Sequence, residues 1–192
     1  MFNRIQAILF DVKFQTHVDR DKTTFYKDFP EDSIILKRQG NEYSIFEVHR
    51  ESIRELVSTT PKDIALFFIV ATLDNFFFNT NDTIKAREIR SLVKLNQINE
   101  AIELIKQEVD ITFSLENIEH EKLSLIQHNN IYSLYFNGKI ILDHLSLQRA
   151  YVTLFNYLKK VDRATKLYYR IIQSVKLETI TLYDFIDFYL KK

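Results

Sequence analysis

The chain has no cysteine, and its only glycines and prolines are Gly40, Gly138, Pro30 and Pro61 in 192 residues. Without cysteine there is no disulfide framework, no thiolate metal site and no cysteine nucleophile. Two glycines far apart exclude the G-x-S-x-G nucleophile turn, the dinucleotide-binding fingerprint and the phosphate-binding loop. Each of these needs closely spaced glycines so that backbone can bend sharply or approach a phosphate. Net charge is also absent: 26 Lys and Arg balance 26 Asp and Glu. The chain therefore lacks the overall positive field that draws a protein to nucleic acid or to an anionic membrane. No apolar run approaches the roughly 20 residues of a membrane span, because the longest, residues 64–73, is closed by Asp74. The first residues meet Asp11 and Lys13 before any long apolar stretch. That is unlike a cleavable secretory signal, so a cytosolic location is expected.

What is present is aromatic and apolar. Sixteen Phe and ten Tyr contribute to a 46% hydrophobic composition, enough to bury one substantial core in a chain of this length. A single α+β domain over residues 1–192 is the expectation. Phe2, Ile5, Ile8, Leu9 and Val12 recur at helical spacing and predict a first amphipathic helix, followed by a polar stretch over 15–27. Residues 33–37 and 42–48 alternate as strands around Gly40 and predict an antiparallel hairpin. Thr60, Pro61 and Asp63 read as a helix start, with Thr60 as cap. The helix that follows, 64–78, is apolar on nearly every side and belongs at the centre of a core.

Asn79 to Asp82 offer caps for a weaker helix around Ile84, Ile89, Leu92 and Val93, and a short helix follows over 98–109. Strand pattern returns at 123–126, 131–136 and 139–142, with Asn137-Gly138 as a strong hairpin signal, so a three-stranded meander is expected. From Ser146 an apolar stripe runs through Leu154, Phe155, Leu158 and Val161 to Val175, as one long helix or as two broken near Val161-Asp162. Thr181 and Asp184 form a variant capping box opening a last helix. Phe68 and Leu154 are expected in the core. The two halves also echo each other, Tyr43-Ser44-Ile45-Phe46 against Tyr132-Ser133-Leu134-Tyr135, each followed by an apolar helix. This points to a duplicated ββα unit over 33–78 and 122–176, although four matching residue types in alternating strands also arise by chance.

The stretch Ile131-Tyr132-Ser133-Leu134-Tyr135-Phe136-Asn137-Gly138-Lys139, with Leu145 to Tyr151 and then Lys166 to Tyr169, resembles several small bacterial immunity protein families that neutralise polymorphic toxins. The resemblance covers less than a quarter of the chain and carries over no functional residue. What it implies is a non-catalytic protein that binds and blocks one protein partner.

Charge is segregated within the neutral total. Residues 99–121 hold seven acids against Lys106, a net of minus six, and residues 159–176 hold six bases against Asp162, a net of plus five. Such runs are ordinarily solvated helix faces, and they are also docking surfaces. Glu116, Glu119 and Glu121 are the candidate partner-binding residues, since they precede a strand rather than pack along a helix. The competing surface is Lys159, Lys160, Arg163 and Arg170 on the basic helix 157–176, which suits an acidic partner or nucleic acid; Tyr168 lies on its apolar stripe and is expected inside. His17, His49, His120, His128 and His144 lack the i, i+4 spacing of a helical zinc site; His120 and His128 are the pair that a meander could bring together, with Glu119, Glu121 or Asp143 nearby in sequence, and scattered surface histidines are the expectation. Asp184 and Asp187, three apart on one helix, read as water-facing acids rather than a hydrolase pair. No catalytic residue, metal or cofactor is expected. The sequence favours a binding module, with a nucleic-acid-associated protein or an enzyme of unrecognised type as the alternatives.

Overall fold

The computed structural model describes residues 1–78, 82–175 and 179–191. It is an α+β protein of antiparallel hairpins and meanders, with six helices among the described residues. The described residues fall into two compact units, one of residues 1–78, 166–175 and 179–190 and the other of residues 82–165 and 191.

The first unit is built on a five-stranded antiparallel meander, β1 (Gln15–Asp19), β2 (Lys22–Tyr26), β3 (Asp32–Gln39), β4 (Glu42–His49) and β5 (Ser52–Pro61), paired in sequence order. Alternation in the strands puts Phe25, Ile34, Leu36 and Ile45 on one face, all buried. Across that face lies α2 (Lys62–Phe77), which packs on β3, β4 and β5 and against α1 (Phe2–Ile8) and α6 (Leu182–Leu190). Its all-round apolarity is used: Ala65, Leu66, Phe67, Ile69, Val70, Ala71 and Leu73 are each at most 2% exposed. Asp74, also on α2, is fully buried and accepts a hydrogen bond from Tyr189 Oη of α6 at 2.6 Å. The capping box of α6 forms as its sequence reads: Thr181 N–H donates to Asp184 Oδ2 (3.2 Å) and Asp184 N–H to Thr181 Oγ1 (3.1 Å).

The second unit holds α3 (Thr83–Lys94) packed on α4 (Ile98–Glu108), and a four-stranded sheet. The strands are β6 (Phe113–Ser114), β7 (Leu123–His128), β8 (Ile131–Phe136) and β9 (Lys139–Leu145), in that order, with β6 parallel to β7 and the rest antiparallel. The β8–β9 turn is Asn137-Gly138, both at positive φ (50° and 77°), which is why this pair of residues makes so tight a hairpin. Asp82 caps α3 by accepting the Lys85 N–H at 3.0 Å. The helix α5 (Leu147–Ser174) is one uninterrupted helix, residues 147–165 counted with this unit and 166–174 with the first. Val161 is buried, so the apolar stripe passes unbroken through the point where a break was one of two options.

Several expectations are corrected. The polar stretch 15–27 forms β1 and β2, and β5 and β6 are strands that carry no alternating apolar signal. Thr60 lies at the end of β5, not at a helix cap, and α2 opens from Pro61 without a side-chain cap. Phe68 is only half-buried, and its neighbour Phe67 is the core residue. The caps suggested at Asn79 to Asn81 lie outside the described residues.

The echo between the halves extends to geometry. Ser44 and Ile45 are buried between half-buried Tyr43 and Phe46, as Ser133 and Leu134 are between Tyr132 and Tyr135. The pairing of β4 with β5 slips twice, through Tyr43–Thr60, Ile45–Val57 and Phe46–Glu55. That of β8 with β9 slips at the same points, through Tyr132–Leu145, Leu134–Leu142 and Tyr135–Ile140.

Candidate functional site

The acidic run 99–121 is distributed over α4 and the segment that follows it. Asn99, Ile102, Glu103 and Lys106 of α4 form one wall of an open groove of about 470 Å³, and Phe113, Ser114, Leu115, Glu116, Asn117 and Glu119 form the other. Two buried serines shape the second wall. Ser114 Oγ accepts the Asn117 N–H (3.3 Å), and Ser124 Oγ, on the strand paired with β6, accepts the Glu119 N–H (3.0 Å). The turn so pinned leaves Glu116 exposed and Glu119 half-buried. The Glu119 carboxylate is held below its ordinary range by the Lys122 ammonium and then by the Ser114 hydroxyl. Glu103 is paired with Lys106 at 2.9 Å on the exposed face of α4.

Two of the three acids singled out in the sequence therefore meet in one place, and the third does not. Glu121 is displaced into the next turn with φ +65°, where its N–H donates to Asn137 Oδ1 at 3.4 Å. The residue that sequence reasoning passed over is Glu103. Its place on the exposed side of α4, opposite buried Ala101 and Ile105, was readable from helical spacing, but the strand that brings 113–119 against it was not.

The basic helix offers less free charge than its composition suggests. Arg163 is only 8% exposed. Lys159 pairs with Asp82 (3.6 Å) and lies over the Phe155 ring; Lys160 lies over Tyr157, and burial pushes its ammonium pKa down. Arg170 belongs to the first unit, where it contacts Asp11 at 3.4 Å, donates to the Ile8 carbonyl at 3.3 Å and stacks on Phe10. Tyr168, expected inside, is only half-buried; its ring contacts Phe67 and Phe185 and its hydroxyl donates to the Ile180 carbonyl.

Other polar clusters are structural in arrangement. Asp143 accepts from Ser133 Oγ (2.5 Å) and lies 3.3 Å from His144 Nδ1, an order that puts the carboxylate, not the imidazole, next to the hydroxyl. The Ser133 hydroxyl and then the His144 N–H hold the Asp143 carboxyl below its ordinary range. His120 faces Asn137 Oδ1 at 3.3 Å, and Asp184 is occupied in its capping box. Among the described residues no three His, Asp or Glu side chains come together as a metal-holding group. No described helix is long and apolar enough to cross a membrane. A second hollow, of about 520 Å³, opens on the uncovered face of the first sheet over Tyr26, Ile35, Val48 and Ile53, and its lining contains no acid. Comparison with protein-family models, with curated proteins and with solved structures found no match for this chain.

Proposed function

We propose that this protein is a non-catalytic binding module that holds a basic segment of a protein partner in the groove between α4 and residues 113–119, as an immunity protein that blocks a toxin would. One observation carries the reading. Glu103, Glu116 and Glu119 line one groove together with the apolar side chains of Ile102, Phe113 and Leu115, and Lys106 is the one base among its described lining residues. Apolar contact supplies affinity at such a surface, and complementary charge raises the encounter rate and rejects wrong partners.

The test is to recover the partner from the native cell by pull-down, identify it, and measure association of the purified pair with Glu116 and Glu119 both changed to Lys. Association slowed about tenfold or more, with a weaker dependence on salt, supports the reading. Unchanged kinetics in that variant, with loss of binding when Lys159 and Lys160 are changed to Gln, moves the site to the basic helix and an acidic or nucleic-acid partner.

A further inference from the structure

The groove has a property beyond its charge, which is that one of its walls is the edge of a sheet. β6 hydrogen-bonds only to β7, in the order β6-β7-β8-β9, so its other edge carries backbone groups with no neighbouring strand. Among the described residues, 113–116 make no backbone–backbone hydrogen bond outside the β6–β7 ladder. An open edge of this kind is a template for an added strand. The other edge of this sheet is different: the pairing of β9 with β8 is bulged at two places, and bulging turns an edge away from partners. The pairing of β6 with β7 is regular.

Resting on the reading of the groove as a partner site, we infer that the partner enters it as an extended segment that adds to the open edge of β6, alternating basic and apolar side chains. In an extended chain successive side chains point to opposite faces. Apolar side chains of the segment then have Ile102, Phe113 and Leu115 to pack on, and basic ones have Glu103, Glu116 and Glu119 to pair with, all in the lining of the one groove. A helix would fill only a broader channel, since it is roughly 10 Å across and turns its own backbone groups inward, leaving the β6 edge unpaired. The shortness of β6 limits the pairing to a few residues, so charge and backbone bonding have to act together.

The experiment uses the full chain and two short synthetic peptides, one alternating lysine and valine with blocked ends, the other identical but N-methylated at every residue. Methylation removes backbone donors and leaves charge and side chains in place. The expected result is binding of the unmethylated peptide with slowed amide exchange at residues 113–116. The methylated peptide should bind about tenfold or more weakly, as loss of one or two backbone hydrogen bonds implies. Equal binding of both peptides, no binding of either, or protection at β1, β5 or β9 instead of β6 overturns strand addition. None of these results touches the acidic-groove reading, which stands or falls on the charge-reversal kinetics of the natural partner.

Discussion

Single residues in this protein are placed by hydrogen-bond need as much as by apolarity. Asp74 sits in the most apolar helix of the chain because Tyr189 brings a hydroxyl to its carboxylate; the sequence showed the acid closing an apolar run but not the partner 115 positions away. Thr72, two residues before it in the same helix, is 3% exposed, and its Oγ1 has no hydrogen-bond partner among the described residues. A buried hydroxyl without a partner costs free energy that an isosteric methyl does not. Thr72→Val keeps the branched shape and is expected to raise stability by about 1 kcal/mol in denaturant melts. A loss of stability would show that the hydroxyl is satisfied. Ser133 and Asp143 give a pH-dependent case. A carboxyl whose folded pKa is depressed adds stability above its unfolded value of about 4, and that contribution is lost as pH falls through the lower folded value. Ser133→Ala removes the largest cause of the depression. The carboxyl carbon of Asp143 should then titrate closer to its ordinary value by NMR. The stability gap between the two proteins should narrow on acidification below about pH 4. An unmoved titration curve would mean that the Ser133 hydroxyl bonds elsewhere in solution.

At the scale of elements, what was legible followed from how each one is buried. α4, α5 and α6 show an apolar face in the sequence because that face is packed, α2 is apolar all round because it is buried on most sides, and β3, β4, β7 and β8 read as apolar strands because their central residues are buried. β1 and β5 are edge strands of the first sheet, with β1 exposed along almost its whole length, so no alternation was imposed on them. β6 has two residues, too few to show a period. Confusion of Phe67 with Phe68 has a related cause: on a helix apolar all round, periodicity cannot tell which face points to the sheet. Phe67 is fully buried and packs its ring on Phe185, whereas Phe68 is half-buried against Phe188. Phe67→Ala is expected to cost about 3–5 kcal/mol and Phe68→Ala clearly less, as large-to-small changes scale with the void left behind. Leu154, fully buried on α5, should cost about 2–5 kcal/mol when cut to Ala. Equal losses for the two phenylalanines in urea melts would place Phe68 in the core as well.

For the whole molecule, a formal charge of zero conceals an uneven surface, and the folded arrangement ranks acids that the sequence could only count. Glu116 is exposed on the groove wall, Glu119 shares its charge with Lys122 and Ser114, and Glu121, also exposed, is not in the groove lining, its backbone N–H being held by Asn137. A basic partner should therefore feel Glu116→Lys most, Glu119→Lys less and Glu121→Lys least in its association rate, with every effect shrinking as salt is raised. Lys106 supplies the opposite sign of test. It is the one base among the described residues lining the groove, and its pair with Glu103 is more than half exposed on both sides, so Lys106→Glu should leave stability nearly unchanged. The same change makes the groove more negative and should speed association at low salt. Stopped-flow rates at two ionic strengths for these four variants decide the matter. If Glu121→Lys slows association as much as Glu116→Lys, or Lys106→Glu slows it, the partner is responding to the general charge of 99–121 and the groove is not where it docks.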